Sequence, residues 1–300
     1  MNAPRRHRQD VHGWLILDKP VGMTSTHAVS AVRRLFNAKK AGHAGTLDPL
    51  ASGILPLAFG EATKTVPYVV DGEKAYRFTV RWGAETTTDD AEGPVTHHSE
   101  ARPEAAAIAA LLPRFMGVIA QVPPQFSAIK IDGERAYDLA RDGEVVALKA
   151  REVEIHALRM IAHQPDESVF EAECGKGTYV RAIARDLGRA LGCYGHIIAL
   201  RRTRVGPFLE ADSTPFSALE DPILLAGALR SVESGLLELP CVLMSRDQAS
   251  RIRRGQSVIL RGRDAPLAEG PVYATCDHAV LAIGVIERGE FVPHRVFNLS

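Results

Sequence analysis

Gly42-His43-Ala44-Gly45-Thr46-Leu47-Asp48-Pro49-Leu50-Ala51-Ser52-Gly53 is the stretch on which the reading of this chain turns. Asp48 is the only acid between Asp18 and Glu61, a window that also holds Lys19, Arg33, Arg34, Lys39 and Lys40. A single carboxylate in a basic, glycine-punctuated loop fits a site that attracts a polyanion and then does chemistry on it. An Asp before Pro is also an ordinary turn former, and spacing alone favours that reading. Metal binding is not expected, because no second carboxylate or Cys lies near Asp48, and His43 alone makes no site.

Outward from this loop the pattern alternates between strands and helices. Residues 13–17 read as a strand, and Thr24–Thr26 offer N-cap hydroxyls. Ala28, Val29, Val32, Leu35 and Phe36 then mark one face of an amphipathic helix. Residues 39–53 read as a loop throughout. Tyr76–Trp82 alternates as a strand, 86–93 is a polar turn, and Ala-rich 104–112 is helical. Pro123 and Pro124 precede a strand over 126–131. Val169–Cys174 leads through Gly175-Lys176-Gly177 into a helix with Val180, Ile183, Ala184, Leu187 and Leu191 on one face and Gly192 as its terminator. Without a regular βαβ rhythm, this predicts an α+β protein on a mixed or antiparallel sheet. After Pro240, short β-rich runs between Gly, Pro and Asp predict a small β-barrel-like C-terminal domain. The expected division is a basic arm over 1–11, a main domain over 12–238 and the β domain over 239–300.

Composition bounds the function classes. The 300 residues are 46% hydrophobic and 24% charged, ordinary values for a globular protein. The longest apolar run, 49–60, is short and broken by Gly and Pro, so no membrane span is expected. Four dispersed cysteines make neither a zinc site nor a disulfide framework, and they read as reduced thiols of a cytoplasmic protein. Thirty-six basic residues balance thirty-six acidic ones, which is unusual for a nucleic-acid binder. The sum conceals segregation: residues 19–47 and 248–263 contain no acid.

The central run, continued as Gly42–Lys64, resembles the core motif of the TruB-type tRNA pseudouridine synthases. In that family the Asp of a G-H-x-G-x-L-D-P-x-A-x-G pattern is catalytic, which maps to Asp48. Gly13–Ser25, Lys74–Arg77, Pro123–Lys130, Cys174–Arg181 and Ala199–Thr203 agree in the expected order. The resemblance is strong over about residues 12–207, and a weaker one makes the C-terminal domain similar to a PUA RNA-binding module. It implies isomerisation of the T-loop uridine at position 55 of tRNA, by breaking the C1′–N1 bond, rotating the uracil and rejoining it through C5. A buried base must be flipped out for this. Neither cofactor nor metal is implied.

The resemblance also distributes roles. Arg181 pairs with Asp48, the alternative being a surface Arg paired with Asp186 or Glu173. Tyr76 lies against the uracil, where stacking is worth about 1–3 kcal/mol, unless it is an ordinary core Tyr. Tyr179 and Leu200 line the same pocket, and Arg201, Arg202 and Arg204 reach the RNA backbone. His43 fills the gap left by the flipped base, Lys19 and Pro20 buttress the loop, and Lys130 touches RNA. Gly175-Lys176-Gly177-Thr178 lacks the leading glycine of a P-loop. Thr87 stands where the family's T-D-T-x-D run carries its first Asp, while Asp90 keeps the later place. The expected partner is tRNA, with no membrane, no obligate protein partner and a monomeric state. A non-catalytic RNA-binding protein and an Asp-dependent nucleoside hydrolase are the rival classes.

Overall fold

Two apolar runs set the centre of the protein, whose computed structural model describes residues 7–127, 130–131, 134–135, 148–260 and 269–299. Gly13–Lys19 (β1) and Ser52–Phe59 (β3) pair antiparallel from Gly13↔Phe59 to Lys19↔Gly53. Strand β3 is covered on both faces: Leu55, Leu57 and Phe59 enter one core, Ile54 and Ala58 another. A strand buried on both sides shows no alternation, so its sequence carries no period-2 signal. Ala41–His43 (β2) adds to β3 opposite Leu57–Phe59. Residues 39–53 are therefore not loop throughout. Three residues carry too little periodicity to announce a strand, and β2 exists because β3 offers it an edge.

Lys74–Trp82 (β4) follows, then a hairpin of Ala84–Thr86 (β5) and Val95–His98 (β6). Next come Gly117–Gln121 (β7) and the pair Lys130–Ile131 (β8) and Glu134–Arg135 (β9). The strand expected over 126–131 thus shrinks to its last two residues. Gln125–Ser127 bends away, and 128–129 lie outside the described residues. Arg151–Gln164 (β10), Glu167–Cys174 (β11), Gly195–Val205 (β12), Phe208–Leu209 (β13) and Thr214–Pro215 (β14) complete a mixed sheet of order β14-β1-β3-β12-β4-β11-β10-β7, with β2 on β3 and β13 on β12. Strand β12 is its keystone. It runs antiparallel to β4 and meets β3 in parallel at Arg201↔Ser52 and Arg202↔Gly53.

Helices pack on both faces. Ser25–Leu35 (α1) starts at Thr24, whose Oγ1 accepts from the His27 N–H at 3.1 Å. Val66–Asp71 (α2) and Ala105–Leu111 (α3) are short, and Val180–Ala190 (α4) ends before Gly192, which takes a φ of +70°. Ala28 and Val32 of α1 with Ile183 and Leu187 of α4 join Leu55 and Phe78 of the sheet in one core.

After Pro222–Gly227 (α5), the C-terminal part forms a curled sheet of order β15-β17-β18-β19-β16 from Cys241–Leu243 (β15), Val258–Ile259 (β16), Pro271–Cys276 (β17), Ala279–Glu287 (β18) and Glu290–Val296 (β19). Arg246–Arg253 (α6) opens with a Ser245–Gln248 capping box and packs Ile252 onto Leu281 and Phe291. The same sheet sends Tyr273 and Ile283, and the chain just after β19 sends Phe297, into a core with Trp14, Ile16 and Ile54. At that seam Lys64 Nζ donates to Val296 O at 2.8 Å, and the Asn298 N–H donates to Glu61 Oε2 at 2.7 Å.

Gly53 tests the keystone. Its φ is +97°, and a Cβ there would lie 2.3 Å from Arg202 O and 2.9 Å from Arg202 N. Gly53→Ala is expected to destabilise the protein by about 2–4 kcal/mol. Gly22→Ala, at φ +85° with nothing nearby, costs only backbone strain of about 1–2 kcal/mol. Urea-unfolding midpoints of the two variants give the comparison.

Candidate active site

The Asp48 loop is pinned from three sides. Ser25 Oγ, 4% exposed, donates to Leu47 O at 3.0 Å and accepts the Leu47 N–H at 2.9 Å. The Gly22 N–H donates to Pro49 O at 2.7 Å. Lys19, with no exposed surface, sends Nζ to Met23 O at 2.8 Å, Pro20 O at 2.9 Å and Pro49 O at 3.4 Å. Burial pulls the Lys19 pKa down to about 8, with Asp48 opposing that shift and Arg202 adding to it. The strand Lys and the turn that follows it therefore brace the loop from beneath.

Arg181 occupies the second position of α4 and points back to this loop. Its Nη2 lies 3.0 Å from Asp48 Oδ2; the Arg side chain is 7% exposed and the Asp side chain 36%. The cation is thus sealed while the carboxylate faces open space. Nη1 meets Asp90 Oδ2 at 3.3 Å and Thr88 O at 2.9 Å, and Nη2 also donates to Phe126 O at 2.9 Å. The alternative partners are engaged elsewhere: Asp186 with Arg185 at 2.8 Å, Glu173 with Arg159 at 3.2 Å. Gln121 aims the helix start, accepting the Tyr179 N–H at 2.8 Å and donating to Tyr179 O at 3.2 Å.

Two cavities meet at Asp48 and Arg181. One of about 290 Å³ takes Tyr76, Leu200 and Tyr179 into its wall. Among its described lining residues Asp48 is the only acid, against Lys74, Lys176, Arg181 and Arg202. The other, about 510 Å³, is bordered by His43, Thr26, Asp90 and Phe126. Tyr76 is half-buried, and burial pushes its hydroxyl up to about 12, so it is neutral at pH 7. Tyr179 is also half-buried, and desolvation raises its pKa. The structure therefore gathers Asp48, Tyr76, Tyr179, Arg181 and Leu200 around one cavity, with Lys19 beneath it and His43 at the second. Lys130 pairs with Arg135 through its backbone, and its side chain lies outside the described part of the chain.

The arginines after Leu200 depart from expectation. Arg202 is 2% exposed and donates to Ile54 O, Thr46 O and Gly45 O at 2.8, 3.1 and 3.2 Å. Arg201 is held by Asp18 and Glu210, and Arg204 by Glu73 and Glu238. These side chains tie the scaffold together, because a strand in mid-sheet points half its residues inward. Lys176 lies 3.0 Å from Asp71 on the surface.

Sequence reasoning also missed the rungs beyond Arg181. Arg185 meets Asp89 at 3.0 Å and Arg189 meets Glu85 at 2.6 Å, so successive turns of α4 bind the segment that carries Asp90. The i, i+4, i+8 spacing of the arginines is visible in the sequence, but their acids come from a distant hairpin. Asp89 supplies a carboxylate two residues after Thr87.

Comparisons with known proteins show the fold and the family. The structure superposes on a crystal structure of a Cbf5-Nop10-Gar1 complex with a TM-score of 0.72 and 23% identity, covering 99% of this chain and 87% of that one. An H/ACA RNP bound to a substrate RNA containing 2′-deoxyuridine gives a TM-score of 0.73 at 21% identity, covering 99% and 88%. The fold is that of the pseudouridine synthases. The "TruB family pseudouridylate synthase (N terminal domain)" model matches residues 33–180, and the "tRNA pseudouridylate synthase B C-terminal domain" model matches 181–247. Proteins named tRNA pseudouridine synthase B are 61% identical in Rhodopseudomonas palustris (99% of this chain, 84% of that one), 62% in Bradyrhizobium diazoefficiens (100% and 89%) and 58% in Rhizobium meliloti (99% and 99%). The chain belongs to the TruB family of pseudouridylate synthases.

The Asp89 rung is pH-sensitive. Burial raises its carboxyl to about 6, against the lowering by Arg185 and Arg181. A carboxyl whose folded pKa is raised contributes stability that is full below the unfolded pKa of about 4 and is lost as pH rises through 6. The shift is worth about 3 kcal/mol. In Asp89→Asn this contribution to the change in unfolding free energy between pH 4 and pH 7 is expected to disappear, as measured by urea unfolding at both pH values.

Proposed function

We propose that the protein isomerises the T-loop uridine at position 55 of tRNA to pseudouridine, with Asp48 as the group that acts on the nucleotide. The observation that carries this reading is a lone, accessible carboxylate, held by a buried Arg181, in a cavity whose other charged lining residues are all cations and whose wall includes Tyr76. The curated relatives are named for this activity on tRNA.

The reaction breaks C1′–N1 and forms C1′–C5; the C5 hydrogen leaves as a proton, and N1 gains one. An ionised carboxylate serves either by attacking the nucleotide or by stabilising charge at the sugar and removing a ribose proton. Arg181 holds Asp48 in place as substrate covers it. Tyr76 and Leu200 offer the apolar surface against which an extruded base rests. Since its hydroxyl stays neutral at pH 7, Tyr76 works as a ring and an O–H donor rather than as a phenolate.

Balanced net charge is compatible with this role because the pairing is local. On β4, β10 and β11, Arg77–Glu171, Arg81–Glu167 and Arg159–Glu173 cancel across the sheet. Among the described residues Arg33, Arg34, Lys40, Lys149 and Arg151 make no ion pair; Arg33 and Arg34 end α1, and Arg151 opens β10. They would meet phosphates. Residues 12–238 carry the chemistry and His43 fills the space of the displaced base. Residues 239–300 form a PUA-like RNA-binding module, with Arg251, Arg253 and Arg254 exposed on and after α6. Among the described residues no helix is long and apolar enough to cross a membrane. A monomer acting on tRNA in the cytoplasm, without cofactor or metal, completes the proposal.

Release of tritium from tRNA labelled at uridine C5 tests it. Wild type is expected to release one tritium per modified tRNA, while Asp48→Asn falls by about 10⁴-fold or more. Arg181→Ala is expected to lose about 10²–10³-fold in turnover. Silence from the wild-type protein on tRNA, or liberation of free uracil, would overturn the reading.

A further inference from the structure

Arg202 stands where three parts of the site converge. In the sheet it faces Gly53 of β3 on one side and Tyr76 of β4 on the other. Its backbone leaves no room for a Cβ at Gly53, so strands β3 and β12 are locked at this residue. Its side chain then runs beneath the Asp48 loop. Nε and the two terminal nitrogens donate to Ile54, Thr46 and Gly45 carbonyls, the last two within three residues of Asp48. A guanidinium has five N–H donors in one plane. Those three carbonyls take one donor from each nitrogen, which leaves one N–H on each terminal nitrogen. Tyr76 is the directly opposed residue on β4, and both side chains line the same cavity.

Among the described residues no carboxylate makes an ion pair with Arg202, although it is almost fully buried. A cation in that position is held by dipoles, and a core that needed only packing would not retain it. Its charge faces the 290 Å³ cavity, whose wall it shares with Asp48 and Tyr76.

We propose that Arg202 is a positioning residue for the isomerisation, one planar cation that holds the Asp48 loop in register with the strand that carries Tyr76. The inference rests on the isomerase reading above. Lysine in its place keeps the charge and loses the fork, since an ammonium cannot reach separated carbonyls along one plane.

The test uses full-length protein and C5-tritiated tRNA. Arg202→Lys and Arg202→Gln are compared with wild type for kcat, KM, tRNA affinity by filter binding and thermal midpoint. Tyr76→Phe is added in the wild-type and Arg202→Lys backgrounds. The expected result is a fall in kcat of about 10–100-fold with KM and tRNA affinity within about twofold. Tyr76→Phe should cost less on the lysine background than on the wild type, since part of its role is already lost. Full kcat in both variants, a loss matched by weaker tRNA binding, or strict additivity with Tyr76→Phe overturns the proposal. So does failure of both variants to fold, which assigns Arg202 to the core alone. Failure of the underlying reading is distinguishable, because the wild-type protein itself would then release no tritium.

Discussion

A buried guanidinium must find acceptors for all its donors, and at Arg181 that requirement organises the site. Its two terminal nitrogens draw in Asp48, the Thr88–Asp90 turn and the backbone at Phe126, three segments with no local reason to meet. Desolvating such a group without partners is far more costly than any one of these contacts is favourable. The geometry of the catalytic loop is therefore tied to the placement of helix α4. That helix in turn depends on its apolar face against Phe78 and on Gln121 at its first turn.

The asymmetry of the pair is chemically useful. Arg181 is sealed, so its charge is little screened by solvent or salt. Asp48 is open on the cavity side and can approach a nucleotide without first breaking its support. Farther along α4, Arg185 and Arg189 pair with the buried acids Asp89 and Glu85 and convert the hairpin turn into a fixed wall. Thr87, which departs from the family's acidic pattern, leaves this wall intact because Asp89 reaches Arg185.

Much of this was legible beforehand where local signals are strong. Thr24 announces α1, Gly192 ends α4, and the helical spacing of Val180, Ile183 and Leu187 matches what is buried. Strands β3, β7, β10 and β12 were not read. Strand β3 is apolar on both faces and shows no alternation. Strand β12 carries Arg201, Arg202 and Arg204, which look like a solvated or RNA-facing run until the sheet places them. Charge alone cannot tell a surface arginine from one that binds carbonyls.

The sequence by itself determined the candidates: a lone acid among cations at 42–53, an Arg at a helix entrance, a Tyr opening a strand, and an α+β pattern with a β-rich tail. It did so because residue type and short-range spacing are local properties. Only the tertiary structure decided which partners these groups keep. It put Asp48, which also opens the Pro49–Leu50 turn, against Arg181, turned Arg202 from an RNA contact into a buried clamp, and joined the C-terminal sheet to Trp14 in a shared core. Those outcomes follow from burial and from satisfying buried polar groups across long sequence separations, which no window of sequence contains.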